Sequence, residues 1–102
     1  MVFIVGDIMR LVFSLTEFDV DILDIPKDVV QNIKKTQKDF DKWLYDKSNK
    51  LTWDKKQGSF CFRGDAFVYW LNEFVLKERK DKAFLVESQP AEYDHTLPML
   101  KY

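Results

Sequence analysis

The sequence predicts an α+β fold, a small and mainly antiparallel sheet with two helices packed on it, the strand order being left undetermined. Three observations lead there. Two stretches, 26–48 and 65–78, repeat apolar residues at helical spacing, while the stretches around them alternate or run in β-forming residues bounded by turn signals. Only three Gly and three Pro punctuate 102 residues, which favours a few long elements over the many short strands of an all-β sandwich. Nine Phe and three Trp supply a dense core and exclude global disorder.

Taken in order, residues 2–15 are rich in Val, Ile, Phe and Leu and are interrupted by Gly6 and Asp7, which predicts a hairpin. Next, Phe18, Val20 and Ile22 alternate with Glu17, Asp19 and Asp21, the two-residue period of a strand with one buried and one wet face. Pro26 suits the first turn of a helix, and Asp28 lies near the positive end of its dipole. That helix places Val29, Ile33, Phe40 and Leu44 on one stripe and closes near Ser48 and Asn49. A second hairpin follows, 51–53 and 59–63 around a turn at 54–58, with Phe60 and Phe62 on one face. Gly64 then breaks the strand and Asp65 serves as N-cap of a second helix. On a wheel of about 100° per residue, Phe67, Trp70, Leu71, Phe74 and Val75 face the core, and Tyr69, Asn72, Glu73 and Leu76 face away. Residues 83–86 read as a last strand and 88–102 as an irregular tail of one domain spanning 1–102.

A single cysteine, Cys61, excludes an internal disulfide and a multi-cysteine zinc site, so a reducing, cytoplasmic compartment is expected. The apolar opening lacks a basic n-region, and Asp7 and Arg10 interrupt it, so it is read neither as a signal peptide nor as a membrane span. Net charge is −1 but unevenly spread, with six acids against two bases in 1–28 and nine bases against four acids in 29–63. Such asymmetry permits a charged face for one partner while arguing against general nucleic-acid binding.

Four constellations carry possible chemistry. Glu17, Asp19 and Asp21 project to one side of a strand about 7 Å apart, a straight row that does not converge on a metal ion but suits a basic partner. Cys61 and the single His95 lack the further group that a thiol nucleophile needs, so no catalytic residue is expected. Arg63, Gly64 and Asp65 match an adhesive triplet by letters, but at a strand-to-helix junction they read as capping. Lys34, Lys35, Lys38 and Lys42, with Lys47 and Lys50 beyond, form a basic helix side diluted by Asp39, Asp41 and Asp46. With three glycines neither phosphate-loop fingerprint can be written, and no metal or cofactor is expected.

The expectation is therefore a non-catalytic protein-binding module. Its most concrete form is an immunity or inhibitor protein that covers the active surface of a cognate toxin or effector enzyme, a basic toxin or nuclease meeting the acidic row. The binding residues are Glu17, Asp19, Asp21, Tyr69, Asn72, Glu73 and Leu76. The alternatives are an accessory or homodimeric subunit of a phage or mobile-element assembly, using the second helix, and a small nucleic-acid binder using the lysines.

Overall fold

The computed structural model describes residues 7–16, 19–46, 48–49 and 51–102. Strand β1 (Ile8–Ser14) and strand β2 (Val20–Pro26) form an antiparallel hairpin in which Leu11 faces Leu23 and Phe13 faces Asp21. The first strand expected within 2–15, and the residues Glu17 and Phe18, lie outside the described residues. Helix α1 (Lys27–Gln31) and helix α2 (Ile33–Leu44) follow, where a single helix was expected. Asn32 divides them: its side-chain amide donates to the Asp28 carbonyl and its backbone N–H turns to the Val29 carbonyl, the local competition that makes Asn poor in a helix interior. The end of α2 is served by Asn49, whose amide reaches back to the Trp43 carbonyl at 3.0 Å.

The second hairpin is short, β3 (Trp53–Asp54) and β4 (Ser59–Phe60), closed by Asp54 accepting from the Lys56 and Gln57 backbone and by Gly58 at φ +62°. Helix α3 (Gly64–Trp70) continues into a π-helical turn, Leu71–Val75, and β5 (Phe84–Ser88) and β6 (Met99–Lys101) complete the sheet. Strand order is β5-β2-β1-β6, antiparallel except for the β1–β6 pair. The protein thus has an α+β fold with a four-stranded, mainly antiparallel sheet. The residues expected to form an irregular tail contain β6, which runs parallel to β1 after the Pro98 carbonyl accepts the Val12 N–H at 2.9 Å.

Helices cover one face of the sheet. Leu11, Phe13, Leu23 and Ile25 meet Phe40, Leu44, Phe67, Trp70, Leu71 and Leu76 there. Phe40 is the hub, its ring 5.0 Å from Phe67, 5.4 Å from Trp70 and 5.9 Å from Tyr102. Burial, and Asp41 nearby, hold the Tyr102 hydroxyl well above the ordinary tyrosine range. On the other face, Tyr93, Leu97 and Met99 lie over Val12, Val20 and Ile22. β2 is therefore covered on both sides, which corrects the expected wet face: Asp21 is buried like its neighbours.

The π-helical turn accounts for a second correction. The Leu76 N–H bonds the Leu71 carbonyl, five residues back, so the turn holds one residue more than an α-turn and the helix slips in phase. Leu76 takes the buried position, and Phe74 and Val75, expected in the core, stand 60% and 42% exposed. Two tertiary contacts hold this arrangement. Asn72 donates to the Ala83 carbonyl and accepts its N–H, and the Lys82 ammonium caps the Leu76 and Lys77 carbonyls. Asp65 sits in the first turn of α3 rather than at the N-cap, which Arg63 occupies.

Candidate functional site

The acidic row divides on folding. Glu17 lies outside the described residues, and Asp19 and Asp21 converge on the start of α3. Arg63 spans both, 2.6 Å from Asp19 and 2.7 Å from Asp21. Asp21 also accepts from the Ser88 hydroxyl and the Gly64 N–H, both at 2.8 Å, and Gln89 donates to Asp19 at 3.1 Å. Gly64 is needed here for space: a Cβ on it would stand 2.9 Å from both Asp21 Cβ and Oδ2. Burial pushes the Asp21 carboxyl up, but the hydrogen bonds from Arg63, Ser88 and Gly64 outweigh it and hold it below the ordinary carboxylate range. The cluster ties β2, the end of β5 and the start of α3 together. As a free acidic face, the expectation for Asp21 is corrected.

The outward side of the second helix also divides. Tyr69 and Glu73 are exposed, as expected for a binding surface, but Asn72 is spent on Ala83 and Leu76 is fully buried. In place of Leu76 the surface presents Phe74, whose ring lies 6.2 Å from Trp43 of α2, as does that of Tyr69. Trp43 is itself stacked on Phe40 at 5.8 Å, so this aromatic surface is anchored in the core.

Beside these rings opens a cavity of about 430 Å³, a size typical of ligand pockets. Trp43, Leu51, Phe62 and Tyr69 give it apolar walls, and Arg63 and Asp65 stand at its polar side. Thr52 belongs to the wall, but its hydroxyl is spent on the Leu44 carbonyl at 2.9 Å. The Asp65 carboxylate accepts the Ala66 N–H and makes no ion pair among the described residues.

The structure does not bring Cys61 and His95 together. Cys61 lines the cavity, its thiol 3.5 Å from Gln57, whereas His95 rests on Tyr93 at 4.3 Å in the loop over the other face of the sheet. Lys34, Lys35, Lys38 and Lys42 are exposed on α2 with Asp39 among them; Lys47 and Lys50 lie outside the described residues. Among the described residues no group of His, Cys, Asp and Glu is placed to hold a metal ion, and no helix is long and apolar enough to cross a membrane.

The sequence placed Tyr69 and Glu73 on the outward side of the helix, where they are exposed, and gave no sign of the exposed Phe74, of Trp43 beside it or of the cavity. The wheel that placed Phe74 inside assumed α geometry throughout, and the only trace of the slip is Leu76, which falls out of phase with the core stripe. The chain is thus an α+β protein that carries a paired polar clamp at the start of α3 and an aromatic face with a cavity beside it. No family model, curated protein or solved structure matches it.

Proposed function

We propose that the chain is a non-catalytic protein-binding module, of the immunity or inhibitor kind, that covers a partner with the aromatic surface shared by α2, α3 and the π-helical turn. The observation that carries this reading is the exposure of Phe74 beside Trp43 and Tyr69. A π-turn gives up regular helical bonding and is frequent at functional sites, and this one turns apolar residues outward. Rigid aromatics that keep solvent contact are enriched at protein interfaces, and contiguous apolar surface on a small protein marks them. A cytoplasmic location accompanies the reading through the single free thiol, Cys61.

The test is capture of the retained protein from the native cell, followed by affinity measurement with Tyr69→Ala/Phe74→Ser protein. Loss of affinity at unchanged melting temperature supports the reading; affinity equal to wild type removes it.

A second reading, a homodimeric or accessory subunit, is favoured by β5. Among the described residues β5 is an edge strand that exposes Phe84, Leu85 and Val86, and apolar edges are templates for pairing. Sedimentation of Leu85→Lys and wild-type protein separates the two, since only a β5-paired dimer dissociates on that change.

A further inference from the structure

We infer that the cavity between α2 and α3 takes a cationic side chain with an apolar stem, a lysine or arginine of the partner protein. This rests on the protein-binding reading and names the partner's chemistry. The walls fit the stem: Trp43, Phe62 and Tyr69 offer ring surface, and Leu51 and Ala66 add aliphatic surface. Indole and phenol faces attract a cation through their quadrupole, more strongly as the site loses water.

The polar side selects the sign of charge. Among the described residues Arg63 is the one cation lining the cavity, and its guanidinium is already engaged by Asp19 and Asp21, so an anionic ligand would have to break the clamp that seats α3. Asp65 lines the same cavity and, among the described residues, has no ion-pair partner. Counting the clamp, one guanidinium stands against three carboxylates there among the described residues. The positive end of α3 does not reverse this, because the Gly64 and Ala66 N–H groups are taken by Asp21 and Asp65. An incoming ammonium or guanidinium meets the Asp65 carboxylate beside apolar walls, and its selection over a neutral group of equal size is electrostatic.

The cavity is tested without a partner. Isotope-labelled protein is titrated with n-butylammonium, n-butylguanidinium, 1-butanol and butyrate at matched ionic strength, following the Trp43 indole N–H and the amides of 61–69. Both cations should shift these signals saturably and bind about threefold to fivefold tighter than butanol, a preference of the size that cation–aromatic contacts give. Butyrate should bind weakest. Asp65→Asn should weaken both cations toward the level of butanol while leaving butanol unchanged, and Tyr69→Ala, at an exposed position, should weaken both cations further without altering the melting temperature. Equal binding of butanol and butylammonium, preferred binding of butyrate, or cation binding unaffected by Asp65→Asn would overturn the inference. Such a failure leaves the protein-binding reading standing, whereas a captured partner indifferent to Tyr69→Ala/Phe74→Ser sinks that reading whatever butylammonium does.

Discussion

At the start of α3 the chain buries a carboxylate and gives it a guanidinium, a hydroxyl and a backbone N–H; at the far end of the same helical segment it turns a phenylalanine out to solvent. The two ends invert the usual distribution of polar and apolar groups. At Asp21 the inversion is compensated inside the molecule, because a buried charge is tolerable only when paired and hydrogen-bonded. At Phe74 no compensation lies within the described residues beyond the edge of Trp43. A charged row in a sequence is therefore a weaker sign of a binding face than an apolar residue that the fold itself forces outward.

The largest difference is expected between two phenylalanines at different depths, Phe40 buried and Phe74 exposed. Phe40→Ala removes the hub of the aromatic core and should cost about 3–5 kcal/mol, whereas Phe74→Ala should stay within about 0.5 kcal/mol of wild type. Thermal melting of both proteins decides it, and a large loss for Phe74→Ala would place that ring in the core. Next in size is the clamp. Asp21→Ala leaves Arg63 and the Gly64 N–H short of their principal acceptor and should cost about 3 kcal/mol, roughly a 12–24 °C fall in melting temperature for a chain of this size.

Gly64→Ala should cost less, about 1–3 kcal/mol, because the new Cβ meets the Asp21 side chain and must push it aside. Its loss should shrink in an Asp21→Ala background, where the obstructing atoms are gone, and a double-mutant cycle measures this coupling. A strictly additive cycle would mean that the two residues do not share the site.

Acid sharpens the same contrast. Because the folded Asp21 carboxyl is held below its ordinary value, its contribution is fully present above the unfolded value of about 4 and is lost as pH falls through the lower folded value. Denaturant unfolding of wild type and Asp21→Asn should therefore differ most near neutral pH and converge in strong acid. A gap that widens on acidification contradicts the direction assigned to the shift.

How much of this the sequence carried follows from what each feature depends on. The α+β class, the β2 strand, the helices and the hairpin at 53–60 rest on local periodicity and turn chemistry, and these were legible. The burial of Asp21 was not, because it depends on the start of α3 and the end of β5 meeting its face of β2, contacts made between segments far apart in the chain. β6 was hidden for a similar reason: a three-residue parallel strand has no period to read, and its partner lies about eighty-five residues earlier. The break at Asn32 had a local signal in the residue type itself.

In the site, Tyr69 and Glu73 were readable from the wheel up to the point where the helix leaves α geometry. Beyond it the phase belongs to Asn72 and Lys82, whose hydrogen bonds to Ala83 and to the Leu76 and Lys77 carbonyls are not written in the helical period. Asp65 was seen only as a capping residue, because the cavity it lines is made by four separate segments of the chain.

The central claim is that the aromatic face, and not the acidic row, meets the partner. The direct measurement is the dissociation constant of the captured partner for wild type, Tyr69→Ala/Phe74→Ser and Asp19→Asn, each shown to melt as wild type does. The account predicts a loss of about tenfold or more for the aromatic pair, the scale of an interface hot spot, and a change of no more than about twofold for Asp19→Asn. A large loss for Asp19→Asn with the aromatic pair unaffected would contradict it.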